Sequence, residues 1–144
     1  MKRLVILLLA WILVLPALGQ AIPPKVNTII VTGVTFSEVC NALLDARYAI
    51  DRKDSDLQTI RTEAKAYPKY WNATYIINVR VKDSTAYITG TATVADGQLF
   101  KDEPIYNQTD RKGATQPKSM FGYAFLLLNE FAQSFKREVS YQKI

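Results

Sequence analysis

Residues 70–94 read YWNATYIINVRVKDSTAYITGTATV, and the alternation within them decides the fold. Successive side chains of a strand point to opposite faces. Trp71, Ala73, Tyr75, Ile77, Val79 and Val81 therefore share one side, and Tyr70, Asn72, Thr74, Ile76, Asn78, Arg80 and Lys82 share the other. Asp83-Ser84 fits a two-residue turn, although it lacks the glycine that such turns favour. Folded about it, Val81 pairs with Ala86, Val79 with Ile88, Ile77 with Gly90, Tyr75 with Ala92 and Ala73 with Val94. Large residues then meet small ones on the inner face, and a slip by one residue would turn every side chain to the wrong side. The outer face pairs Arg80 with Tyr87, Asn78 with Thr89, Ile76 with Thr91 and Thr74 with Thr93.

Upstream of this hairpin, the β-branched run Thr28 to Thr32 ends at Gly33 and reads as a first strand. The period then changes. Thr35-Phe36-Ser37-Glu38 has the form of a capping box, in which the threonine oxygen and the glutamate carboxylate satisfy each other's backbone N–H groups. Phe36, Val39, Cys40, Leu43, Leu44 and Arg47 follow at helical spacing. A short strand over Tyr48 to Asp51, a turn at Lys53 to Asp56 and a second strand from Leu57 to Glu63 complete this half.

Downstream, Gly97 marks a turn, and Gln98 to Tyr106 holds a short strand that Pro104 restricts to an edge or ends. Residues 107–116 read as a polar loop. Pro117 suits the first position of a helix, where its missing N–H costs nothing. Met120, Phe121, Ala124, Phe125, Leu127, Leu128, Phe131, Ala132 and Phe135 give that helix a broad apolar face. Lys136 and Arg137 fall near its C-terminal end, where the helix dipole favours cations. The expected fold class is α+β: a two-layer arrangement of an antiparallel sheet with two helices packed on one face, in the order β-α-β-β-β-β-α.

The first residues say where the protein works. Lys2 and Arg3 precede an uncharged apolar run of about 15 residues from Leu4 to Leu18, and then the small-residue stretch Ala17-Leu18-Gly19-Gln20-Ala21. Basic, apolar and small in that order is the pattern of a secretory signal peptide. The run is short of the roughly 18 to 20 residues of a membrane-spanning helix, so cleavage after Gly19 or Ala21 is the expectation and an uncleaved anchor the alternative. The leader thus covers 1–21, and a single domain covers 22–144. A lipoprotein would need a cysteine directly after the apolar run, and Cys40 lies far downstream. The expected location is periplasmic or secreted, with no stable membrane span after cleavage.

The formal charge of +5 includes Lys2 and Arg3, which leaves about +3 on the mature chain, with its cations scattered along the sequence. Nucleic acid is therefore a poor candidate partner, because binding a phosphate backbone needs concentrated basic charge. One cysteine cannot make an internal disulfide, so stability must come from packing, and Cys40 reads as a small buried residue. The chain has no histidine, which removes the usual zinc ligand and the usual general base at neutral pH. Asp51, Asp54 and Asp56 have the wrong spacing for an EF-hand, with Thr59 where glycine is needed and Lys65 where glutamate is needed. No catalytic, cofactor or metal motif stands out. Asn72-Ala73-Thr74 and Asn107-Gln108-Thr109 match the glycosylation triplet.

Candidate binding residues lie on the outer hairpin face: Tyr70, Asn78, Arg80, Tyr87, Thr89, Thr91 and Thr93. Threonine, tyrosine, asparagine and an arginine can stack on and hydrogen-bond to a ligand or partner. Antiparallel sheets also commonly show water a face of this composition. Trp71 and Tyr75 fall on the inner face, where packing is their expected role.

The order of elements and the segment Tyr48-Ala-Ile50-Asp-Arg-Lys-Asp54-Ser-Asp-Leu57-Gln-Thr-Ile60-Arg-Thr62-Glu63 resemble small exported bacterial domains of unknown function, found notably in Bacteroidetes, with a TBP-like or helix-grip architecture. Arg47 stands where that motif often has a glycine before the aromatic residue. The resemblance implies a fold and a compartment and transfers no functional residue. The resulting expectation is a non-enzymatic envelope module that binds an envelope protein or a small ligand through its sheet face or a cleft beneath the C-terminal helix. The alternatives are a hydrolase without histidine, built on Ser or Thr with Lys or a carboxylate, and a lipid or small-ligand carrier with an apolar cavity near Phe125 and Leu128.

Overall fold

The computed structural model describes residues 21–68, 73–96 and 99–144. They form an α+β fold of eight antiparallel strands and two helices: β1 Thr28–Thr32, α1 Phe36–Asp45, β2 Ile50–Asp54, β3 Thr59–Thr62, β4 Lys65–Ala66, β5 Ala73–Lys82, β6 Thr85–Asp96, β7 Leu99–Pro104, α2 Met120–Gln133 and β8 Val139–Gln142. The sheet runs β2-β3-β5-β6-β1-β8, with β4 beside β3 on the same edge of β5 and β7 beside β1 on the same edge of β6. The observed order carries β4 and β8 beyond the sequence reading, and β7 is the short strand read at Gln98 to Tyr106, which the order β-α-β-β-β-β-α leaves out.

The central hairpin has the register read from its alternation, from Ala73 opposite Val94 to Val81 opposite Ala86. Asp83 and Ser84 have φ of 50° and 56°, the left-handed pair of a type I′ turn, here made without glycine. The Ser84 carbonyl also accepts hydrogen bonds from the N–H groups of Gly33 and Val34, which ties this turn to the start of α1. Ile77 faces Gly90 for a packing reason: a Cβ on Gly90 would lie 2.7 Å from Ile105 Cδ1 and 2.8 Å from Leu128 Cδ2. The inner-face residues Ile29, Val31, Tyr75, Ile77, Val79, Ile88 and Ala92 form one buried cluster with Val39 and Leu43 of α1 and with Phe125, Leu128 and Phe131 of α2. Cys40 is buried in the same cluster as a free thiol.

Helix α1 starts as its sequence dictates. Glu38 N–H donates to Thr35 Oγ1 at 3.2 Å and Thr35 N–H donates to Glu38 Oε2 at 2.7 Å, a complete capping box. The Thr35 N–H and then the Thr35 hydroxyl, which donates to the same Glu38 Oε2 at 2.8 Å, hold the Glu38 carboxyl below its ordinary pKa. At the other end Arg47 takes φ 60°, while Arg47 N–H donates to the Leu44 carbonyl and Tyr48 N–H to the Leu43 carbonyl. This is a Schellman motif with arginine in the position that usually goes to glycine.

Several boundaries differ from the sequence reading, each for a local reason. The β2–β3 turn falls at residues 55–58 rather than at Lys53 to Asp56, because Lys53 pairs with Ile60 and sets its ammonium 5.5 Å from the Phe36 ring centre. Asp54 then caps the turn, its Oδ1 accepting from the N–H groups of Asp56 and Leu57. Helix α2 begins at Met120, not at Pro117: Ser119 is the N-cap, and its Oγ accepts from Gly122 N–H at 3.0 Å. Gly122 cannot be larger, since its Cβ would sit 2.1 Å from the Gln116 carbonyl oxygen. The helix ends at Gln133, so Phe135, Lys136 and Arg137 lie beyond it rather than on its last turn. Phe135 folds back on Phe131 with ring centres 5.3 Å apart, Lys136 turns the chain at φ 53°, and β8 then pairs with β1.

Candidate functional site

On the face of the sheet turned away from the buried cluster, two rows of side chains cross the strands. One runs Thr59, Arg80, Tyr87, Ile30, each opposite the next. The other runs Arg52, Arg61, Asn78, Thr89. A one-residue irregularity between Ile50 and Arg52 sets Arg52 directly opposite Arg61. Together with Thr28, Lys82 and Ile144, all of these residues except Ile30 line a trough of about 510 Å³. It reaches over β2, β3, β5, β6 and β1, about 19 Å at the usual strand spacing.

The trough is uneven in charge. Arg52, Arg61, Arg80 and Lys82 occupy the end over β2, β3 and β5, and all four are exposed. Thr28, Tyr87, Thr89 and Ile144 make the other end, where Thr28 is buried and Tyr87 and Thr89 are half-buried. No carboxylate side chain contributes to the lining. Asp51 approaches Arg61 from outside, 3.8 Å from its Nε, with both side chains about half exposed. Among the described residues no ion pair reaches Arg52, Arg80 or Lys82.

The β1 and β8 end is fixed by a reciprocal pair of bonds: Asn27 Nδ2 donates to the Ile144 carbonyl and Ile144 N–H to Asn27 Oδ1, both at 3.0 Å. The threonine hydroxyls here are already engaged, Thr28 with Asn27 Oδ1 and Thr89 with the Asn78 carbonyl.

Four of the seven candidates read from the sequence, Asn78, Arg80, Tyr87 and Thr89, come together in this trough. Thr91 and Thr93 lie farther along β6, opposite Pro104 and Asp102 of β7, and Thr93 Oγ1 donates to Asp102 Oδ1 at 2.6 Å. They are not part of the lining. Tyr70 lies outside the described residues. Sequence reasoning missed Arg52, Arg61, Thr59 and Thr28, and it placed Lys82 on the right face without selecting it. The alternation of Thr59, Ile60, Arg61 and Thr62 was the available signal for Arg61. Cations scattered along the chain are gathered by the sheet.

The other polar features serve the fold. Tyr48 Oη and Tyr75 Oη lie 3.1 Å apart in the interior, and Tyr67 packs on Tyr75 with ring centres 5.0 Å apart. Burial pushes the Tyr48 and Tyr75 hydroxyls above the ordinary tyrosine pKa. Lys65 Nζ sits 4.1 Å from the Tyr48 ring centre. Asn107 is fully buried: its Nδ2 donates to the carbonyls of Ile22 and Pro23, and its Oδ1 accepts from Thr115. A side chain so enclosed cannot carry a glycan in the folded protein. Phe125 and Leu128 are also fully buried, and the contact of Leu128 with Gly90 leaves no room there for even a methyl group. No helix among the described residues is long and apolar enough to cross a membrane. The chain matches no family model and no curated protein sequence.

Proposed function

We propose that this protein is an exported, non-enzymatic binding module whose ligand site is the trough on the open sheet face. The observation that carries the reading is the meeting of Asn78, Arg80, Tyr87 and Thr89 with Arg52, Arg61 and Lys82 over four neighbouring strands. A volume of about 510 Å³ lies within the roughly 300–1,000 Å³ of small-ligand sites. In this reading α1 and α2 form one layer on the buried face, which leaves the opposite face to function. The basic, apolar and small order of residues 2–21 supports export, with cleavage after Gly19 or Ala21. The resemblance to TBP-like exported domains agrees with that compartment.

Binding is favoured over hydrolysis because the lining holds no carboxylate side chain and its threonine hydroxyls at Thr28 and Thr89 are turned to Asn27 and Asn78. A photoreactive amino acid at position 78, compared with one at the exposed position 133 on α2, tests the site in cells that export the protein. Intact-mass analysis should show a discrete adduct from position 78 only, on a chain that starts at Gln20 or Ile22. Equal adducts at both positions, or adducts from 133 alone, would remove the sheet face as the site. A full-length chain retained in the cytoplasm would remove export.

A further inference from the structure

The charge distribution within the trough narrows the class of ligand. Arg52 and Arg61 face each other directly across β2 and β3, and Arg61 and Arg80 are diagonal neighbours across β3 and β5. Like charges so placed oppose pairing of the strands. Solvated surfaces commonly relieve such a cluster with nearby carboxylates. Here the one ion pair among the described residues that touches it is the long, exposed contact of Asp51 with Arg61. Guanidinium groups present fixed forks of N–H donors that match the oxygens of phosphate, and their planar geometry favours two-point contacts. The opposite end offers Tyr87, Thr28, Thr89 and Ile144, which carry no charged side chain.

We infer that the trough binds a small phosphate monoester, its phosphate held by Arg52, Arg61 and Arg80 and its uncharged body lying along Tyr87 and Thr89 toward Ile144. This rests on the sheet face being the ligand site. The size of the trough selects a small molecule over a polymer or a membrane surface. Three guanidinium groups and the Lys82 ammonium exceed what a single carboxylate would balance, which selects a doubly charged group.

Calorimetric titration of the mature protein with 1-naphthyl phosphate and with uncharged 1-naphthol tests the inference. The phosphate ester should bind at least about tenfold more tightly, the scale of charge-assisted hydrogen bonds. Arg61→Gln and Arg80→Gln should each weaken it about fivefold or more, and added salt should weaken it further. Arg111→Gln removes an exposed charge elsewhere and should leave the affinity within about twofold. Asn78→Trp, which fills the floor of the trough, should abolish binding of the ester. Equal affinity for ester and naphthol, both lost in Asn78→Trp, would overturn the anionic class while leaving the sheet-face site standing. Absence of binding, or binding indifferent to Asn78→Trp, would overturn both. Attachment to phosphatidylglycerol vesicles that is lost in an Arg61→Gln, Arg80→Gln double variant, without binding of the ester, would make the partner a membrane surface and overturn the small-molecule inference.

Discussion

Arg52 and Arg61 stand directly opposite each other in the β2–β3 ladder, both exposed and both on the open face of the sheet. Directly opposed like charges disfavour strand pairing, and the exposed contact of Arg61 with Asp51 at 3.8 Å returns little. Arg61→Gln should therefore leave the fold as stable or stabilise it by about 0.5 kcal/mol at low ionic strength. The gain should shrink in high salt, where the repulsion is screened. Urea titrations at two salt concentrations measure both. A clear loss of stability would mean that Arg61 serves the fold rather than a ligand.

Several turns use left-handed residues that are not glycine, among them those at Arg47 and Ser84. Arg47 closes the Schellman motif of α1 at φ 60°, and Ser84 holds the second position of the hairpin turn at φ 56°. A side chain in that region costs about 1 kcal/mol relative to glycine. Arg47→Gly and Ser84→Gly should each raise stability by about that amount, partly offset by the greater freedom of glycine in the unfolded chain. Thermal melts of the two variants provide the check.

Asn107 ties the beginning of the described chain to the loop before α2 through its bonds to Ile22, Pro23 and Thr115. Truncation removes three part-buried hydrogen bonds, to the Ile22 and Pro23 carbonyls and from the Thr115 hydroxyl. Asn107→Ala should cost about 3 kcal/mol, at about 1 kcal/mol for each bond lost. Hydrogen exchange should show residues 22–27 opening more than β5 and β6.

The buried hydroxyl pair Tyr48 and Tyr75 makes stability depend on alkaline pH. Burial raises both folded pKa values, whereas an unfolded tyrosine ionises near about 10. Their contribution is thus complete below pH about 10 and is lost as pH rises from there toward the folded values. Urea midpoints should fall across that window. Tyr75→Phe should flatten the alkaline limb and lower the neutral plateau by about 1 kcal/mol, because Tyr48 loses its partner.

The β5–β6 hairpin was legible because alternation and large-to-small matching both demand one register, and the space beside Gly90 is taken by Ile105 and Leu128. The capping box of Thr35 and Glu38 was legible because its chemistry is local. The C-terminal helix was overextended for a physical reason: Phe131 and Phe135 have the four-residue spacing of a helix, yet their contact is made across the turn that ends it. Strand β8 is four residues long, and only its pairing with β1 identifies it. The site divided in the same way. Asn78, Arg80, Tyr87 and Thr89 share one hairpin, so alternation grouped them. Arg52 and Arg61 join them through the pairings of β2 with β3 and of β3 with β5, which local pattern does not encode.

The central claim is that the open sheet face holds the ligand, and amide chemical-shift mapping with 1-naphthyl phosphate reads it most directly. The account predicts shifts concentrated at residues 52, 59–61, 78–80 and 87–89, with α1 and α2 unmoved. Shifts confined to the helices, or to the cavity formed by Ala46, Tyr48, Leu127, Glu130, Phe131 and Ser134, would contradict it.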